Sequence, residues 1–405
     1  MFWEATVATF QDRDTVIVSG ARTPIGRFGG GLSTLPAPQL GGQTIKAAIE
    51  RAGIDPSVVD EVLMGNVLQA GEGQAPARQA ALKGGLPNTV GALTINKVCG
   101  SGLKTVMLAA SMIRAGDAEV VVAGGMENMS SAPYLLPQAR FGYRLGNGEI
   151  IDSTVHDGLW CAVECHHMGM SAEWIAQEFG ISREQQDAFA LRSHQRAAEA
   201  QDSGKFAREI VPIEIPGKKG QVMRIDTDEP VRRDTDAKQL AGLRLAFKSE
   251  GGTVTAGNAP GITDGAAALI VMSGAKAREL GVTPLAKVTG YAQAAVKPLE
   301  LFTAPPYAIQ RLLEKTNTRL DDYDLFEINE AFAAQVLANA KALNIDPDRL
   351  NVNGGAIALG HPIGASGARV LVTLLHALQD HGGGRGIASL CLGGGEAVAL
   401  AVEML

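Results

Sequence analysis

Asn96-Lys97-Val98-Cys99-Gly100-Ser101-Gly102 opens an apolar run that lasts to Ala115; a β-branched run follows at residues 118–123, and then Gly124-Gly125-Met126-Glu127. The same plan returns near the C-terminus. Gly364-Ala365-Ser366-Gly367 opens a second apolar helix, a strand follows at residues 387–390, and Gly393-Gly394-Gly395-Glu396 comes after it. Continuous apolar strands without polar alternation are covered on both faces, which is the pattern of layered α/β structure. The recurrence reads as duplication of one α/β unit, with two equivalent helix N-termini near a pseudo-twofold axis.

The rest of the chain fits that plan. Residues 15–18 read as a strand, 44–53 as a helix, 61–63 as a strand and 75–84 as a helix. From about residue 133 to 256 the character changes: charge and turn residues rise, as in Ile215-Pro216-Gly217-Lys218-Lys219-Gly220. Two polar helices are expected there, over 171–179 and 183–203, the second with Ser182 as its N-cap. A stretch that long needs structure of its own, so it reads as an excursion from the core. The expected organisation is an N-terminal half over 1–280, holding the excursion, and a C-terminal half over 281–405.

Composition excludes several classes. Of 405 residues, 46% are apolar, which excludes global disorder. Lys and Arg number 36 against 43 Asp and Glu, for a net charge of −7. Aromatics are only 5%. Neither a basic footprint nor stacked rings for nucleic acid is present. No apolar run approaches the ~18 residues of a membrane span. The first residues carry Glu4, Asp12 and Asp14 against Arg13, unlike a secretory or transit segment, so a cytoplasmic protein is expected. Four cysteines are too few for a disulfide scaffold and form no Cys-x-x-Cys pair. Cys161 and Cys165, followed by His166 and His167, give a weak hint of a metal; no metal site is expected.

Four residues stand out for chemistry, each with a blander reading. Cys99 precedes Gly-x-Gly and an apolar helix, so its sulfur falls at a helix N-terminus, where thiolate is favoured; it also reads as a small buried hydrophobe. His361 sits in Gly354-Gly355-Ala356-Ile357-Ala358-Leu359-Gly360-His361-Pro362, a tight loop presenting an imidazole that can take a thiol proton. A turn histidine bonded to backbone is the alternative. Cys391 ends an apolar strand before three glycines, where a second thiol can move a proton or simply pack. Asn329, in Glu327-Ile328-Asn329-Glu330-Ala331-Phe332-Ala333, can hold a water or support an oxyanion, or cap a helix. His167, in His166-His167-Met168-Gly169, says nothing locally.

Taken together, Ser19-Gly20-Ala21-Arg22-Thr23-Pro24-Ile25-Gly26, the Cys99 box, Gly124 to Ser130, Asn329-Glu330-Ala331-Phe332-Ala333, the Gly-His-Pro box and Cys391-x-Gly-Gly-Gly resemble the thiolase family, on its biosynthetic, short-chain side. The resemblance runs from about Asp14 to Leu405. It implies a five-layer α-β-α-β-α fold with an inserted loop domain. The implied activity is reversible Claisen condensation of two acetyl-CoA to acetoacetyl-CoA plus CoA, through an acyl-enzyme. CoA is then substrate and product, and no separate cofactor is needed.

The resemblance assigns roles by motif. Cys99 is the nucleophile and His361 its base. Cys391 is the acid/base at the α-carbon. Asn329 holds a water beside His361 in one oxyanion hole, and the N–H groups of Cys99 and Gly393 form the other. His167 and Met168 lie near the thioester, Arg232 near the nucleotide end, and Leu159, Phe247 and Phe332 along the pantetheine channel. The family's Asn-Ala-Ser-Gly stands here as Asn258-Ala259-Pro260-Gly261, so Pro260 lacks a hydroxyl that usually binds the pantetheine arm. The family's Met-Gly-x-Gly-Pro stands as Leu301-Phe302-Thr303-Ala304-Pro305, which reshapes the pocket rim. The alternatives are a degradative 3-ketoacyl-CoA thiolase of broader chain length, a Cys-His thiol hydrolase and a non-catalytic CoA-binding protein. Residues 135–148, with Arg140, Tyr143 and Arg144, resemble the excursion that joins dimers into tetramers, so a homotetramer is expected.

Overall fold

A computed structural model describes residues 9–217 and 220–405. Most of the N-terminal extension and Lys218-Lys219 of the charged turn lie outside the described residues. In the first half, β1 (Thr15–Arg22), α1 (Ala37–Ala52), β2 (Glu61–Gly65), α2 (Pro76–Lys83), β3 (Gly91–Ile95), α3 (Ser101–Ala115) and β4 (Val120–Asn128) alternate. The excursion follows, with α4 (Met168–Phe179) and α5 (Arg183–Asp202), before β5 (Thr263–Ser273). The second half holds β6 (Ala286–Ala295), α6 (Ala304–Thr316), β7 (Leu325–Ile328), α7 (Ala333–Leu343), α8 (Ile363–His381), β8 (Arg385–Leu392) and β9 (Glu396–Met404).

Strand order shows the duplication. The first half reads β3-β2-β4-β5-β1, the second β7-β8-β9-β6. In each, the strand after the Ser-Gly helix pairs in parallel on one side and antiparallel on the other. Leu350 bridges Phe326 in parallel, in the place that β3 takes in the first half. Val16 and Ile17 of β1 pair with Lys287 and Ala286 of β6, joining the halves at their edges.

Three apolar clusters separate the layers. Helices α1 and α2 cover one outer face, against Val62, Val120 and Ile270. Helices α6 and α7 cover the other, against Phe326, Ile387 and Ala399. Between the sheets lie α3 and α8, with Leu103, Val106, Val370 and Leu374 meeting Leu63, Leu269, Leu390 and Val398. Each fully buried aliphatic side chain of this kind contributes about 1.5–3 kcal/mol. A Cβ on Gly102 would fall 2.6 Å from the Ala368 nitrogen, and one on Gly367 would fall 2.2 Å from the Leu103 nitrogen. The repeated Ser-Gly therefore lets two helix backbones touch where they cross.

Helix α1 starts at Ala37, seven residues before the expected 44. Gly41-Gly42 reads as a breaker by propensity. Here it is a contact surface: Cβ atoms would meet Met126 at 2.6 Å and Lys83 at 2.7 Å. Strand β4 likewise runs on through Gly124 to Asn128, because a Cβ at Gly125 would strike the Gly364 carbonyl oxygen at 2.1 Å. Ser182 caps α5 in a reciprocal capping box with Gln185, worth about 1 kcal/mol.

The excursion is tied to the core by charge. Arg22, fully buried at the end of β1, bonds Glu209 through Nε at 2.7 Å and Asp228 through Nη1 at 2.7 Å. Its guanidinium also lies 5.0 Å from the Phe206 ring centroid. Removing one partner of such a group would leave a bare buried charge, at a cost of about 3–5 kcal/mol.

Candidate active site

Cys99 lies two residues before α3, in a turn held by one side chain. Ser101 Oγ donates to the Val98 carbonyl at 2.6 Å and accepts from the Lys97 N–H at 2.8 Å. Val98 is driven to φ +45°, a left-handed conformation that a β-branched residue adopts only under constraint. The strain sits directly beside the sulfur. Lys97 is clamped by an ion pair to Glu396.

The expectation that a helix N-terminus makes Cys99 a ready thiolate is corrected. Burial pushes the thiol up to about 12, although the N–H groups of Gly393 and of Cys99 itself act to lower it. Desolvation of the charged sulfur outweighs the two N–H groups aimed at it. Cys391, buried at the end of β8, is also raised, by burial and then by the nearby Cys99. Both thiols are protonated at rest, so the site needs a base.

His361 supplies it. Burial, then repulsion from Arg369, lowers its pKa to about 3, so the ring is neutral. Its tautomer follows from its partners. Ser366 Oγ donates its single hydrogen to the Pro362 carbonyl at 2.9 Å, so it accepts from Nδ1–H of His361 at 2.6 Å. The bare lone pair is therefore on Nε2, where Asn329 Nδ2 donates at 3.4 Å. Asn329 is no helix cap: α7 starts at Ala333, after Phe332. Its Oδ1 is buried without a partner among the described residues.

His167 has the opposite tautomer. Its Nδ1 accepts from the Gly169 N–H at 3.1 Å, capping α4, which leaves the hydrogen on Nε2. Its ring stacks on Phe247 at 4.7 Å between centroids, and Phe247 meets Phe332 edge-on at 6.2 Å. A Cβ on Gly169 would lie 2.2 Å from the Phe247 ring, so glycine is required there. One imidazole offers a base and the other a donor.

These groups share one cavity of about 280 Å³. Cys99, His361, Cys391 and Gly393 line it, and Asn329 stands behind His361. Leu159, His167, Met168, Phe247 and Phe332 form its walls. Ala259, Pro260 and Gly261 line it too, and Pro260 brings no hydroxyl. Arg232 is not on this cavity: it lies, exposed, on an adjoining chamber of about 480 Å³ that shares Ala256, Ala259, Gly261 and Ile262 with the first. Among the described residues, no group of three or more His, Cys, Asp and Glu side chains is placed to hold a metal.

Three residues escaped the sequence reading. Ser366 sets the His361 tautomer. Glu127, fully buried, accepts from the N–H groups of Val67, Leu68 and Gly364 and from Asn66 Nδ2. It thereby fixes the start of α8, and so His361, against the sheet that carries Cys99. Glu330 accepts from Ser193, Asn351 and the Ile357 N–H, tying the Asn329 turn to the His361 loop. All three were visible only as letters within longer boxes.

Comparison with known proteins agrees with this geometry. The thiolase N-terminal domain family matches residues 15–275, and the thiolase C-terminal domain family matches 282–404. The chain belongs to the thiolase family. An acetyl-CoA acetyltransferase of Cupriavidus necator is 56% identical over 390 residues, covering 96% of this chain and 99% of that relative. One from Chromobacterium violaceum is 55% identical over the same span. The crystal structure of the Bacillus anthracis acetyl-CoA acetyltransferase superposes on this thiolase with a TM-score of 0.95 at 46% identity, covering 97% of this chain and 99% of that one. The duplicated α/β fold is thus that of a thiolase. Among the described residues, no helix is long and apolar enough to cross a membrane.

Proposed function

We propose that this thiolase is an acetyl-CoA C-acetyltransferase, joining two acetyl-CoA into acetoacetyl-CoA plus CoA and running the reverse thiolysis. The observation that carries the reading is the convergence of two thiols, Cys99 and Cys391, and one imidazole, His361, on a single apolar cavity. Nε2 of His361 takes the Cys99 proton as the sulfur attacks the thioester carbon. The tetrahedral oxyanion is held by the N–H groups of Cys99 and Gly393. Cys391 gives its proton to the departing CoA sulfur, so CoA leaves as the thiol, Cys99 keeps the acetyl group, His361 stays protonated and Cys391 is left as the thiolate.

In the second half-reaction Cys391 removes the α-proton of a second acetyl-CoA. The enolate oxygen is met by Nε2–H of the now protonated His361 and by a water held on Asn329, whose Oδ1 is an available acceptor. One oxyanion donor is typically worth about 3–4 kcal/mol. The carbanion attacks the acetyl-Cys99 carbonyl, forms the carbon–carbon bond and frees the sulfur. Splitting the condensation in two gives ping-pong kinetics. The sequence of steps calls on no metal or redox group.

On this reading, acyl length is set by the cavity wall beside Cys391, which Leu301 and Phe302 help to line. Leu301 and Phe302 are 1% and 2% exposed, and Phe302 meets Phe332 edge-on at 5.4 Å. They pack in one cluster with Cys391, filling the space where a longer acyl chain would go. That favours acetyl and acetoacetyl groups over the longer substrates of a degradative thiolase. Rates of thiolysis against acetoacetyl-CoA, 3-ketohexanoyl-CoA and 3-ketodecanoyl-CoA test this. A steep fall beyond four carbons supports the reading, and retained activity on the ten-carbon substrate overturns it.

A homotetramer in the cytoplasm completes the proposal. Residues 133–152 expose Tyr134, Leu136, Phe141, Tyr143, Leu145 and Ile150, with Leu145 fully exposed. So much apolar surface on one excursion suits burial against another copy of the chain.

A further inference from the structure

Two turns meet at the Cys99 sulfur, and one ion pair joins them. Residues 393–395 turn β8 into β9, and Glu396 pairs with Leu392 across that hairpin. From this turn the Gly393 N–H points at the sulfur. Gly394 and Gly395, at φ +87° and +90°, make it a soft piece of backbone. On the facing side, the Cys99 turn passes through Val98 at φ +45°. One turn is soft and the other strained, so each needs outside support to keep its shape.

The support is a closed ring of contacts. The Glu396 carboxylate pairs directly with the Lys97 ammonium. Val98, next to Lys97, packs back on the first turn: a Cβ on Gly393 would lie 3.3 Å from Val98 Cγ1. The ring thus runs from Gly393 through Glu396, Lys97 and Val98 to Gly393 again, and Cys99 is carried on it. Lys104, one turn into α3, is a second cation near Glu396, but its Nζ goes to Gln293 Oε1 at 3.4 Å. The Lys97 and Glu396 side chains are 20% and 38% exposed. A pair this open to solvent adds little to global stability. What it fixes is the spacing of the two turns.

We infer that Lys97 and Glu396 are positioning residues, whose ion pair holds the N–H groups of Cys99 and Gly393 at the spacing that the tetrahedral oxyanion requires. Neither side chain lines the cavity, so neither acts on the substrate directly. Oxyanion donors are effective because they already stand where charge develops. A small displacement of one donor slows the chemistry and leaves substrate binding in place. The inference rests on the reading of Cys99 as the nucleophile and of these two N–H groups as its oxyanion hole.

The test is rapid-quench trapping of the acetyl-enzyme from labelled acetyl-CoA. It compares the wild-type protein with Lys97→Met, Glu396→Gln, the double variant Lys97→Met/Glu396→Gln and Lys97→Arg, each with its KM for acetyl-CoA and its melting temperature. Lys97→Met and Glu396→Gln should each acetylate Cys99 roughly tenfold more slowly, with KM and melting temperature close to those of the wild type. The double variant should be no slower than either single one, because both break the same pair. Lys97→Arg, which keeps the charge, should retain most of the rate. Additive losses in the double variant, a loss confined to KM, or a fall in melting temperature that tracks the loss of rate overturns the inference. Absence of any acetyl-enzyme in the wild-type protein would overturn the assignment of Cys99 as well, whereas normal trapping unmoved by either single substitution would overturn only the role of the ion pair.

Discussion

Ser366 Oγ stands 2.6 Å from Nδ1 of His361 while giving its own hydrogen to the Pro362 carbonyl. One hydroxyl thereby decides which imidazole nitrogen is bare. Ser366→Ala removes the acceptor that holds Nδ1–H and frees the ring to adopt the wrong tautomer. Thiolysis kcat should fall by roughly 10- to 100-fold, with KM for acetoacetyl-CoA little changed. Steady-state kinetics check this. An unchanged kcat would remove Ser366 from any positioning role.

Phe302 is expected to limit acyl length. Phe302→Ala opens space next to Cys391 at a stability cost of about 3–5 kcal/mol. The variant should gain on 3-ketohexanoyl-CoA relative to acetoacetyl-CoA, by roughly tenfold for the apolar contact released. Competition between the two substrates measures the ratio directly. A ratio equal to that of the wild type would place the end wall elsewhere.

The resting thiols set the pH behaviour of chemical modification. With its pKa raised to about 12, Cys99 holds little thiolate at neutrality, and that fraction climbs about tenfold per pH unit up to the raised value. Alkylation of the free enzyme by iodoacetamide should still be accelerating above pH 9. A plateau with a midpoint near pH 7 would show a preformed thiolate. His361, lowered to about 3, should give no acid limb near pH 6.5 in kcat/KM.

Pro260 offers the pantetheine arm no hydrogen bond. Pro260→Ser restores a hydroxyl at the cavity wall and should lower KM for acetyl-CoA by roughly two- to tenfold, the worth of one net hydrogen bond. If KM rises instead, the rigid proline is shaping the channel in its own right.

The chemistry was more legible in the sequence than the supports behind it. Cys99, His361 and Cys391 each sit in a glycine-rich turn, because exposing a reactive group at a backbone corner needs glycines, and glycines are conspicuous. The duplication was legible because Ser101-Gly102 and Ser366-Gly367 must both lack bulk where α3 and α8 cross. Gly41-Gly42 shows the other side of this: glycine marks close packing as well as breaks, and the neighbour, Met126, tells which. Ser366 reads as an ordinary helix-start serine, since its contact to His361 depends on the Pro362 turn. The upward shift of the Cys99 thiol was hidden because burial belongs to the whole fold, whereas the helix end is local.

The most direct measurement is a comparison of two reactions in Cys391→Ala. With labelled CoA, the variant should still exchange label into acetyl-CoA through Cys99, at a reduced rate, while acetoacetyl-CoA formation falls below detection. Exchange and condensation surviving together would contradict the division of labour between the two sulfurs.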